Sequence, residues 1–163
     1  MSAKKIVLTA LVVSVIGISA ASAATHKDED DAEGPLDIKE VELEGLKLGD
    51  ERHLKATVRT HEAFRRRDLN GGGFFTYFDS RGGDRWDFKL AMHLWKDGTP
   101  LCQLFDRAGF SRGGGATNRN PASFSCTFPR STLNPGDDPI RWRTRSVFYG
   151  ETDSAPGSGW YRH

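Results

Sequence analysis

Five apolar residues, Trp86, Phe88, Leu90, Met92 and Leu94, alternate with Asp87, Lys89, Ala91 and His93. A period of two sends successive side chains to opposite faces, so this run reads as a strand with one buried and one wet face. That pattern belongs to antiparallel sheets. Nothing between residues 36 and 150 keeps a helical period over three turns. Shorter runs repeat the alternation: Leu54, Ala56 and Val58; Phe74 to Phe78; Leu101, Gln103 and Phe105; Phe124, Cys126 and Phe128; and Ile140 to Phe148. Leu36 and Ile38 alternate in one parity and Val41 and Leu43 in the other, which predicts a bulge near Glu40. The separators are turn formers, with Asp97-Gly98 the clearest hairpin signal. Residues 65–73 and 109–121 read as loops. About seven strands without a helix predict an all-β, antiparallel two-sheet β-sandwich over residues 36–163, with Trp86 and Trp142 on core faces.

The N-terminus is of a different kind. Lys4 and Lys5 precede an apolar run from Ile6 to Ile18, and Ala21-Ser22-Ala23 follows. This is the form of a cleavable secretory signal over residues 1–24, cut after Ala23 or Ala24. The run is shorter than the ~20 residues of a bilayer span, so the expected product is secreted, extracellular and free of a membrane span. Residues 25–35 are rich in acid and poor in large apolar groups, which predicts a disordered leader.

Charge is uneven along the chain. Residues 25–50 hold ten acidic residues and three lysines, and residues 51–163 hold eighteen basic and twelve acidic ones. The two cysteines, Cys102 and Cys126, lack metal-motif spacing, and in an exported chain they predict one disulfide.

From Leu36 to Tyr149 the order of features resembles uncharacterised secreted β-sandwich proteins of actinobacteria. The matching segments are Asp37-Ile38, the Gly-rich turn Asp79 to Asp87, the pair Cys102 and Cys126, and Pro129-Arg130-Ser131. The tail Asp153-Ser154-Ala155-Pro156-Gly157 is also similar. The chain is more distantly similar to DOMON-type and family-nine carbohydrate-binding modules. The resemblance implies a sandwich fold and carries no assigned chemistry. In those proteins the corresponding turn looks like a Ca²⁺ loop, which makes Asp79, Asp84 and Asp87 calcium candidates. Arg81 stands where a second carboxylate would sit, and a plain β-turn capped by Asp explains the same residues.

Three further features bear on function. Arg141, Arg143 and Arg145 share one face of the last long strand, as a polyanion site or as a solvated outer face paired with local acids or with the acidic leader. Trp95, Tyr149, Trp160 and Tyr161 are candidate ligand-facing aromatics for stacking on sugars. The histidines occur singly, and no nucleophile, phosphate-loop or metal motif is present. These observations predict a non-catalytic secreted module without a cofactor, which binds a polysaccharide or another cell-surface component and not nucleic acid. The competing classes are an envelope protein that acts only through protein contacts and a small secreted hydrolase.

Overall fold

The computed structural model describes residues 20–83, 85–95, 97–133 and 139–163. Most of the expected signal segment, and Asp84, lie outside them. The described chain is all-β and forms two antiparallel sheets. The first has the order β1 (Ala20–Lys27), β2 (Ile38–Leu48), β3 (Glu51–Thr60), β9 (Ser123–Pro129), β8 (Ala116–Asn120). The second has the order β11 (Glu151–Ala155), β10 (Arg141–Phe148), β4 (Gly72–Asp79), β5 (Phe88–Leu94), β6 (Pro100–Asp106), β7 (Ser111–Gly114). A short β12 (Tyr161–Arg162) pairs with the start of β10.

The alternation of each strand decides what fills the space between the sheets. The first sheet contributes Val41, Leu43, Leu54, Ala56, Val58, Phe124 and Phe128, and the second contributes Phe74, Phe78, Leu90, Met92, Leu104 and Trp142, all buried. Phe78 and Phe128 meet across the gap with ring centroids 5.7 Å apart. Two threonines that the period also turns inward, Thr76 and Thr144, hydrogen-bond to each other at 2.9 Å, which removes the penalty of burying both hydroxyls. The outer face of the first sheet is charged and self-paired: Arg59 bonds to Glu40 and Glu42, and Lys55 to Glu44. The predicted bulge is present, as a register shift between Ile38 and Glu40 against β3.

The two long edges of the sandwich are built differently. On one, the chain passes from β7 in the second sheet to β8 in the first through Gly115. A Cβ there would strike the Thr127 carbonyl and lie 2.9 Å from Cys102 Sγ, so only glycine fits. The Cys102–Cys126 disulfide joins β6 to β9 beside this crossing, with Cα atoms 5.8 Å apart. The opposite edge has no such link, and β11 there packs near β2. The bridge closes a loop with a sequence separation of 24, which constrains the unfolded chain by about 3 kcal/mol. Urea unfolding of the Cys102→Ala/Cys126→Ala protein should show a stability loss of that size. A loss below about 1 kcal/mol would mean that the bridge adds little to the packed sheets.

Five sequence expectations are corrected. Segment 109–121 is not a loop, because Ser111–Gly114 and Ala116–Asn120 form edge strands. Their side chains are largely exposed, so no apolar alternation marks them. Residues 25–35 are not a featureless leader: Thr25, His26 and Lys27 pair with Glu42, Val41 and Glu40. Backbone bonding to β2 and the stacking of His26 on Tyr161, centroids 3.7 Å apart, supply the order that composition does not. Trp86 lies before β5 and is only half-buried, with its ring against Tyr77 at 5.7 Å. The run Leu101, Gln103 and Phe105 faces outward, because β6 buries Cys102 and Leu104 instead, and among the described residues the strand count rises from about seven to twelve.

Candidate functional site

The alternation that buries one face of the second sheet sets out its other face in rows. Strand register places Arg143 opposite Tyr77, Tyr77 opposite Lys89, and Lys89 opposite Phe105. Cation and aromatic ring therefore alternate across β10, β4, β5 and β6 at the ~4.8 Å strand spacing. The neighbouring row is Arg145, Phe75, Ala91 and Gln103. The Arg143 guanidinium lies 5.7 Å from the Tyr77 ring and 4.8 Å from the Trp160 ring. Lys89 Nζ lies 5.8 Å from the Phe75 ring and 5.7 Å from that of Phe105. Trp86 extends the strip beside Tyr77. Beyond Phe105 the surface dips into an open hollow of about 350 Å³, lined by Trp86, Lys89, Phe105 and Arg107 among others.

The three candidate arginines point outward together, yet they are not equivalent. Arg141 donates from Nε to Asp79 Oδ2 at 2.8 Å, and its Nη2 reaches the same oxygen and the Gly83 carbonyl. It is committed to the fold. Arg143 and Arg145 are exposed, and Arg143 is framed by two rings. The four candidate aromatics do not form one platform. Tyr149 follows the end of β10 while Tyr161 pairs with its start, so they stand about 20 Å apart along the strand. Trp95 and Tyr149 are 52% and 73% exposed. Tyr161 stacks on His26 and lies 5.1 Å from Trp142, which makes it part of the packing. Trp160 alone of the four joins the cationic strip.

The turn from Asp79 to Asp87 is satisfied by its own donors. Asp79 Oδ1 accepts from the backbone N–H groups of Arg81, Gly82 and Gly83 at 3.1, 2.8 and 3.3 Å, and Oδ2 accepts from Arg141. Burial alone would raise the Asp79 pKa, but these donors outweigh it and hold the carboxyl below its usual value. Asp87 Oδ2 accepts from Ser80 N at 3.0 Å and from Ser80 Oγ at 3.3 Å.

No protein-family model, curated protein or solved structure matches this chain.

A second polar cluster, absent from the sequence reading, occupies the open edge. Carboxylate oxygens of Asp31, Asp37 and Asp153 lie within 4.8 Å of one another. Asp28 stands close by, and burial, then Asp153 and Asp31, push its pKa up to about 6. Asp37 is raised to about 6, first by burial, then by Asp30 and Asp153, with His61 opposing. The acids of the N-terminal segment thus gather against other acids, with His61 Nδ1 4.0 Å from Asp30 Oδ2. Asp37 and Asp153 are 116 positions apart, and no spacing rule joins them. Of the missed members of the cation–ring row, Lys89 did carry a signal, in the parity opposite to Phe88, Leu90 and Met92; Tyr77 lies in an unbroken aromatic run, and Phe105 belongs to the run Leu101, Gln103 and Phe105 that the sequence offers as the inward one.

Proposed function

We propose that this chain is an exported, non-catalytic binding module that holds an acidic polysaccharide on the outer face of its second sheet. The observation that carries the reading is the cation–ring row Arg143, Tyr77, Lys89, Phe105, with Trp160 and Trp86 flanking it. Flat rings cover the apolar faces of pyranoses, and the interposed guanidinium and ammonium groups supply charge for carboxylate or sulfate substituents. A broad, ridged sheet face suits an extended polymer, which contacts many shallow positions at once. Export is supported by the N-terminal charge and apolar pattern and by the disulfide. Among the described residues no helix is long and apolar enough to cross a membrane.

Co-sedimentation of the oxidised protein with insoluble acidic and neutral polysaccharides tests this. Retention on the acidic polymer should exceed that on the neutral one and should weaken as salt screens Arg143 and Lys89. Trp160→Ala and Arg143→Ala should each lower the affinity about tenfold, the equivalent of ~1.4 kcal/mol for one lost ring or charge contact. Trp95→Ala, which alters a ring at the sheet's end, should leave retention unchanged. Equal retention of all variants, or none on any polymer, would overturn the assignment.

A further inference from the structure

The open edge of the sandwich gathers the carboxylates of Asp28, Asp30, Asp31, Asp37 and Asp153, with the His61 ring the one basic group shown against them among the described residues. Asp37 is 3% exposed, yet no N–H donor among the described residues reaches either of its carboxylate oxygens, and the side chain set against it is another carboxyl, that of Asp30. Both oxygens are sealed from solvent, and the carboxylate lies within the triad formed with Asp31 and Asp153. Asp153, 8% exposed, accepts a 2.7 Å bond from the Ile38 N–H through Oδ2. Asp28 Oδ2 is also buried without a partner. Four basic side chains of the described residues engage acids elsewhere: Arg59 with Glu40 and Glu42, Lys55 with Glu44, Arg112 with Asp106, and Arg141 with Asp79. A buried carboxylate with no donor is a costly arrangement, and buried charges are otherwise paired or bound to metal.

We propose that Asp31, Asp37 and Asp153 bind one divalent cation of the calcium type. The dimensions admit an ion of this size. Ca²⁺ sits ~2.3–2.6 Å from its oxygen ligands, so oxygens on opposite sides of it are up to about 5 Å apart. The triad, with all separations within 4.8 Å, fits inside that limit. Mg²⁺, at ~2.0–2.1 Å, demands near-ideal octahedral geometry and holds its water more firmly, which suits three side chains from separate segments less well. Three hard oxygen donors without sulfur or imidazole also disfavour zinc and copper. Asp28 stands within reach of the cluster as a further source of charge.

The ligands come from three separate places. Asp31 belongs to the segment after β1, Asp37 immediately precedes β2, and Asp153 lies on β11 in the other sheet. One ion would therefore tie the N-terminal segment and the first sheet to the edge of the second. Asp37-Ile38 and Asp153-Ser154, set apart in the sequence as an opening and a closing motif, meet at this point through the Ile38–Asp153 bond.

The test is calorimetric titration and thermal unfolding of the whole protein after removal of metal with chelator. CaCl2 should bind at one site per chain, with an affinity in the ~10⁻⁴–10⁻³ M range of extracellular modules. It should also raise Tm by several degrees at about 10 mM. MgCl2 should bind at least about tenfold more weakly. Asp31→Asn, at an exposed position, should fold normally and lose about tenfold in Ca²⁺ affinity. Asp37→Asn should abolish binding and, by removing the unpaired charge, raise the Tm of the metal-free protein. Asp106→Asn, remote from the cluster, should bind as the parent does. Absence of binding at 10 mM, or binding that survives both Asp31→Asn and Asp37→Asn, would overturn the proposal.

Discussion

Replacing Trp142 with alanine should cost about 3–5 kcal/mol, the range for a buried tryptophan whose cavity the surroundings cannot refill. Trp142 is 1% exposed and pairs with Phe78 on the neighbouring strand. Its ring also contacts Tyr161 at 5.1 Å and His26 at 5.8 Å, so truncation removes support from both β12 and β1. The indole N–H is buried and has no acceptor among the described residues. Trp142→Phe should therefore cost less than half as much as Trp142→Ala, because the volume it loses is partly offset by the loss of an unpaired donor. Chemical denaturation of the two variants checks both values. A cost below about 1 kcal/mol for alanine would mean that this ring does not fill the centre of the sandwich.

Asp79→Asn should destabilise the protein by about 3 kcal/mol, the lower part of the range for breaking a buried ion pair, since Arg141 retains some access to water. Asparagine preserves an acceptor for the turn but turns an amide donor toward a guanidinium that needs an acceptor. The pH dependence gives a second readout. In the folded protein the Asp79 pKa lies below its ordinary 3.8. Its contribution is therefore full above the unfolded value and lost as pH falls through the folded one. The parent should lose stability on acidification below about pH 4 more steeply than Asp79→Asn. A parallel acid limb in the two proteins would show that the carboxylate is not charged and paired in the fold.

Period-two alternation made the long strands legible, because burial of one face imposes it on β3, β4, β5, β9 and β10; in β6 it marked the strand but the wrong face, since Cys102 and Leu104 are the buried residues and Leu101 and Phe105 are apolar on the other side. It also located the bulge in β2 and the outward stripe of Arg141, Arg143 and Arg145. The alternation failed at β7 and β8, whose side chains are mostly exposed and whose order comes from backbone pairing. It failed at Trp86 because the chain leaves the strand there, and parity counts only inside a ladder. Of the cation–ring row, Arg143 and Trp160 were singled out from sequence. Their partners Tyr77, Lys89 and Phe105 became neighbours only through registers that a single strand does not encode. The carboxylate cluster was illegible for a stronger reason: it joins the segment between β1 and β2 to β11 of the other sheet, and which edges face each other is a property of the whole topology.

The difference between the two long edges determines how the sandwich can move. Gly115 and the disulfide bind the sheets together on the β7–β8 side like the spine of a book. The β1 and β11 margins are the fore-edge, joined without a covalent bridge, by contacts such as the bond from the Ile38 N–H to Asp153. Any transient parting of the sheets pivots on the spine and is widest where the acidic residues converge. A cation held there, as proposed above, would close this side like a clasp, on the strand next to β10, whose outer face carries the arginines.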